Sequence, residues 1–172
     1  MKPRIIGISG GSSGSGKTTA ACQILGRLRG WGAIKYTRAS GEASVVDDPG
    51  VLRTAGKDTA KMLEAGAEAV LWVRSPREKL PGALKEAVAR LSHLSGIVVE
   101  GNSAVELLDP EVVVFVAGGG GIKPGAERLL ERASVVLHGG IPPAGAPARA
   151  RALRTGDPRL ADLVLALLDS HK

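Results

Sequence analysis

A chain of 172 residues, with 44% hydrophobic and 23% charged residues, has room for one domain with a sizeable core and is not a disordered segment. Its net charge of +6 suits an anionic ligand, while aromatics at only 2% leave few stacking surfaces and argue against a nucleic-acid reader. A single cysteine, Cys22, excludes an internal disulfide, no apolar run reaches the ~18 residues of a membrane span, and a cytoplasmic protein is expected.

Short apolar runs alternate with helical stretches along the chain. That is the pattern of an α/β protein with a mostly parallel β-sheet and helices on both faces. Arg4 to Ser9 reads as the first strand, apolar enough for burial on both sides, and leads out of Met-Lys-Pro-Arg with no signal-peptide core. Thr18 to Leu28 reads as a helix with Cys22 as a small packing residue, and Ala33 to Tyr36 as the second strand. Thr37 to Gly56 has no steady period and reads as a long loop, a length that usually serves function or motion. Asp58 to Ala65 is a predicted helix and Ala69 to Val73 a strand. Ser75, Pro76 and Glu78 have the order of a capping box, opening a helix to about His93 that bends at Pro81-Gly82.

Ile97 to Val99, Val112 to Ala117 and Val135 to Leu137 read as further strands, and Gly139 to Pro147 as a loop. Arg149, Arg151, Arg154 and Arg159 form a basic run that reads as solvated surface, and Asp157-Pro158 opens a last helix to about Asp169. No repeat or linker divides the chain, so a single domain is expected.

Between the first strand and first helix, Gly11, Ser12, Ser13, Gly14, Ser15, Gly16, Lys17 and Thr18 fit G-x-x-x-x-G-K-[ST] at every fixed position. Glycines let successive backbone N–H groups curl around phosphate oxygens, and the helix start adds positive potential. Lys17 is the residue expected to reach the β- and γ-phosphates and Thr18 to ligate Mg²⁺, with Thr19 completing the predicted contact stretch. The dinucleotide pattern is disfavoured, because Thr19 stands where its third glycine belongs.

A phosphate loop that uses Mg²⁺ needs a carboxylate at a nearby strand end, and Glu100 after Ile97-Val98-Val99 has that place. Asp47 is a second candidate for the metal, although the pair Asp47-Asp48 is equally a turn. The candidate catalytic residues are Lys17, Glu100 and Asp58; the metal set is Thr18, Glu100 and Asp47. Gly118 to Gly121 with Lys123 reads either as an approach to the nucleotide base or as a flexible turn. His93, His138 and His171 are too scattered for a transition-metal site or a Ser/His/Asp arrangement.

Ser13 to Thr19, Ala33-Ile34-Lys35, Gly56-Lys57-Asp58-Thr59, Ala65-Gly66-Ala67 and Val99-Glu100-Gly101 follow one another in an order and spacing that resembles a known family. It is the molybdopterin-guanine dinucleotide biosynthesis protein B (MobB-type) family of P-loop GTP-binding proteins, and the resemblance covers roughly residues 4 to 117. It implies GTP binding with slow hydrolysis, a homodimer, and a helper role beside a molybdenum cofactor guanylyltransferase or in molybdoenzyme maturation. By position it carries Lys17, Thr18 and Glu100 into the phosphate and Mg²⁺ site, with Asp58 in a turn near the nucleotide. The chain departs from the family in having no histidine in Tyr36 to Ser40, and Asn102-Ser103 where Phe-Lys is common. It also lacks an Asn-Lys-x-Asp guanine-reading motif, so a preference for GTP over ATP rests on the resemblance alone.

Two other readings stay open. A small-molecule kinase of the uridine-kinase type would share the glycine loop, and Glu42 with Arg74 and Arg77 could supply its base and lid. A nucleotide-dependent switch or scaffold for maturing another metal cofactor would use the segment Thr37 to Gly56 as its moving surface.

Overall fold

The apolar run that opens the chain becomes the centre of a sheet. The computed structural model describes residues 2–54 and 56–171. In chain order its elements are β1 (Arg4–Gly10), α1 (Lys17–Leu25), β2 (Trp31–Arg38), β3 (Ser44–Val46), α2 (Pro49–Leu52), α3 (Asp58–Glu64), β4 (Val70–Ser75), a 3-10 turn (Arg77–Lys79), α4 (Leu80–Arg90), β5 (Gly96–Glu100), α5 (Asn102–Leu108), β6 (Val112–Val116), α6 (Glu127–Glu131), β7 (Val135–His138), β8 (Arg151–Arg154) and α7 (Leu160–Asp169). The strands form one sheet in the order β3-β4-β2-β5-β1-β6-β7-β8. Every pairing is parallel except that of β3, which runs antiparallel to β4 at one edge.

The continuous apolar strands are buried on both sides, and their alternate residues divide between two cores. Ile5, Ile34, Val99, Val113 and Phe115 face one layer with Leu84 of α4, Val105 of α5 and Leu129 of α6. Ile6, Ile8, Val98, Val112 and Val114 face the other with Ile24 of α1, Met62 of α3 and Val164 of α7. The sheet is therefore covered by helices on both faces. No helix among the described residues is long and apolar enough to cross a membrane.

Several local expectations are revised. Ser75 ends β4, paired with Arg38, and its hydroxyl donates to the Pro76 carbonyl, so it does not cap a helix. The helix begins later, at Leu80, and Pro81 lies in its first turn, where a missing N–H is tolerated. The segment 37–56, of which Ala55 lies outside the described residues, contains β3 and the short α2. There Asp48 is the cap, its carboxylate accepting from Val51 N at 3.0 Å. Cys22 is only half-buried, against the edge of the second core.

Candidate functional site

The carboxyl ends of β1, β5 and β6 converge on the loop 11–16. Gly14 and Gly16 have φ of 71° and 102°, the left-handed region that lets the chain turn from strand to helix within a few residues. Gly16 is the N-cap of α1 and brings no side-chain cap. Gly11 N donates to Val116 O at 3.0 Å, and Gly11 O accepts from Lys123 N at 2.8 Å, which ties the loop to β6 and the segment after it. Asn102 holds the other side: its Oδ1 accepts from Gly10 N and its Nδ2 donates to Gly10 O, both at 2.9 Å. Within the loop, Ser15 is buried and its hydroxyl has no hydrogen-bond partner among the described residues. Gly118 fits against it, at φ 71°, where a Cβ would stand 2.9 Å from that of Ser15.

Two cations reach the loop. Lys17 Nζ donates to Ser12 O at 3.2 Å and Lys123 Nζ to Ser13 Oγ at 3.3 Å. Burial lowers the pKa of Lys17 and the charge of Glu100 partly offsets this, so the ammonium is held in a place that favours an anionic partner. Thr19 is exposed on the first turn of α1.

Beside the loop lies a chain of charges. Glu100 is 1% exposed, an extreme burial for a carboxylate, and both its oxygens are engaged. Oε2 accepts from Thr18 Oγ1 at 2.9 Å and Oε1 from Lys35 Nζ at 2.6 Å. The sheet register sets this up, since Lys35 and Ile8 flank Glu100 on neighbouring strands. Lys35 also reaches Asp58 Oδ2 at 3.1 Å, at the start of α3, and Lys61 Nζ stands 3.9 Å from the other Asp58 oxygen. Burial alone would lower the pKa of Lys35, but the charges and hydrogen bonds of Glu100 and Asp58 outweigh it and raise the value.

The structure thus brings Lys17, Thr18, Glu100 and Asp58 together and leaves Asp47 apart. Val46 pairs with Trp72, which is level with Lys35 and Glu100, so three strand spacings of about 4.8 Å separate β3 from β5, some 14 Å in all. Asp47 continues from there away from the carboxyl ends of the parallel strands and pairs with Arg90 at 3.2 Å. It cannot share a cation with Thr18 in this arrangement. Glu42 is likewise occupied, by Lys79 at 2.8 Å. Arg74 lies 5.0 Å from the Trp72 ring, as does Lys57, and Trp72 helps line a cavity of about 280 Å³ beside Lys35 and Asp58.

Thr18 and Glu100 supply the hard oxygen donors that Mg²⁺ prefers. Among the described residues no group of three or more His, Cys, Asp and Glu is arranged to hold a metal. Mg²⁺ in nucleotide sites takes one or two protein oxygens and completes its shell with phosphate and water, so this sparse donor set fits it. Sequence reasoning gave no site role to Lys35 or Asn102. The signal for Lys35 was a lysine between the buried Ile34 and Tyr36 of a strand, a position a buried sheet allows only when a carboxylate answers it. Among known protein families and curated proteins, no family model and no curated protein matches this chain.

Proposed function

We propose that the chain is a P-loop protein that binds a nucleoside triphosphate with Mg²⁺ at Gly11 to Thr18 and hydrolyses it slowly. The observation that carries this is the Thr18 hydroxyl 2.9 Å from the buried Glu100 carboxylate, at the start of the helix that follows the glycine loop. In this reading the loop N–H groups and Lys17 bind the phosphates, and Thr18 with Glu100 would hold the cation. The cation, when bound, supplies neutralising charge at the phosphates. Glu100 orients the attacking water, directly or through a second water, while Lys35 and Asp58 fix the carboxylate in place. The resemblance to MobB-type proteins adds GTP as the nucleotide, a homodimer, and a helper role in molybdenum cofactor maturation.

Lys17→Ala is expected to abolish triphosphate binding while the circular dichroism spectrum stays native; normal affinity in a folded variant would sink the reading. Glu100→Gln should leave nucleotide binding without Mg²⁺ nearly unchanged, weaken the Mg²⁺ dependence and slow hydrolysis, roughly ten- to hundredfold. Unchanged hydrolysis and Mg²⁺ titration would remove Glu100 from the site. A competition titration in which ATP binds as well as GTP would count against the guanine preference.

A further inference from the structure

On the α4–α5 side of the sheet a cleft of about 710 Å³ opens next to the glycine loop. Its walls are the end of β2, the 3-10 turn after β4, the start of α5 and the segment entering α6. Arg38, Arg77, Lys123 and Arg128 line it, against two carboxylates, Glu106 and Glu127. Glu106 lies 3.4 Å from Arg77 and Glu127 accepts from Gly125 N at 2.7 Å, so four cations face two carboxylates and the lining stays positive. Arg38 and Arg128 have no acidic partner among the described residues.

The cleft and the loop share two side chains. Lys123 lines the cleft and donates to Ser13, and Asn102 lines it and holds Gly10. Lys35, Glu100 and Ile8 are level, and from there β2 runs on to Arg38 and β1 to Gly10 at the same end of the sheet. Two strand spacings, roughly 10 Å, separate β2 from β1. Like charges gathered in a concave wall repel one another, and the same concavity concentrates their field on an anion that enters. A guanidinium offers two parallel donors to a carboxylate or a phosphate. The volume is that of a small-molecule pocket, and the lining has no aromatic platform for nucleic acid.

We propose that this cleft binds a small anion other than the nucleotide, carrying a phosphate or carboxylate group gripped by Arg38 and Arg128. The position beside the nucleotide's terminal phosphate rests on the P-loop reading; the anion site itself does not. A ligand there stands where a second substrate or a regulator of hydrolysis would be placed.

The test titrates the isotope-labelled full chain by nuclear magnetic resonance with glycerol 3-phosphate, succinate and, as a neutral control, glycerol. Each titration is run with and without Mg²⁺ and a non-hydrolysable GTP analogue. One of the two anions should saturate shifts around Arg38, Ser103 and Arg128, glycerol should not, and the anion that saturates tells phosphate from carboxylate. In Arg38→Ala/Arg128→Ala that anion should bind about tenfold more weakly while the affinity for the GTP analogue changes by less than about twofold. Lys17→Ala should do the reverse. Saturation undiminished in the double variant, or none below roughly 50 mM in the wild type, overturns the cleft site whatever the nucleotide does. Loss of nucleotide binding in the wild type, with the anion titration intact, overturns the P-loop reading and leaves the cleft standing.

Discussion

Glu100 and Lys35 depend on each other because the interior that holds them would not hold either alone. With Glu100 1% exposed, removing its cation leaves a charge with no solvent to compensate it. Lys35→Met should therefore destabilise the protein by about 3 kcal/mol, a typical cost of breaking a buried pair, and Lys35→Met/Glu100→Gln should recover part of that loss. Urea unfolding of the two single variants and the double variant reads this directly, and strict additivity would show the pair to be uncoupled. The sign with pH follows from the raised pKa of Lys35. Its contribution is complete below the unfolded value near 10.4 and is lost as pH rises through the higher folded value. At this scale the sequence made Thr18 and Glu100 legible, because a motif position and a strand end can be read locally. Lys35 and Asn102 were hidden because their partners are 65 and 92 residues away, and only the strand order brings them close.

Among the elements, those with a strong period or a long apolar run were readable, namely β1, β5, β6, α1 and α7. The misses are short or polar. Asn102–Leu108 has seven residues and starts with Gly101-Asn102-Ser103, which has the chemistry of a loop, and Glu127–Glu131 has only five. Arg151–Arg154 reads as a basic run because its flanking arginines are exposed, and it becomes a strand through pairing with β7. Asp157, expected to cap α7, lies two residues before its N-cap, Arg159, which brings no side-chain cap; its Oδ1 instead accepts from Arg159 N at 2.9 Å while its other oxygen meets the Arg159 side chain. These bonds, the side-chain one first, hold the Asp157 pKa down to about 2. The Asp157–Arg159 contact therefore contributes fully above the ordinary aspartate value near 3.9 and is lost as pH falls through about 2. Carboxyl-carbon titration by nuclear magnetic resonance should place Asp157 at the acidic end of the aspartates. In Asp157→Ala, the Arg159 amide loses its acceptor and should exchange faster.

For the whole molecule, the two sheet edges differ in kind. One ends in the three-residue antiparallel β3, and the other in β8, with Arg151 and Arg154 exposed along it. Short strands and charged side chains at an edge discourage a neighbouring copy from adding its own strand. The proposed homodimer is accordingly expected to form without extending the sheet through β8. Light scattering should give twice the chain mass for the wild type and for Arg151→Glu alike. A wild-type monomer at working concentration would count against the dimer, and a monomeric Arg151→Glu against its avoiding that edge.

The Asn102 side chain imitates a peptide unit, offering Gly10 one acceptor and one donor at 2.9 Å each. The Gly10 amide is thus shielded by a rotatable group, whereas an ordinary strand amide is shielded by a neighbouring backbone. Its hydrogen-exchange rate then reports the rotamer of one side chain, independently of global unfolding. In Asn102→Ala this single proton should exchange orders of magnitude faster than the central amides of β1, whose ladder to β5 and β6 is untouched. An equal acceleration across β1 would mean that Asn102 holds the strand as a whole. In the intact protein, the Gly10 proton gives a clock on the junction between the glycine loop and the neighbouring cleft, readable without any ligand.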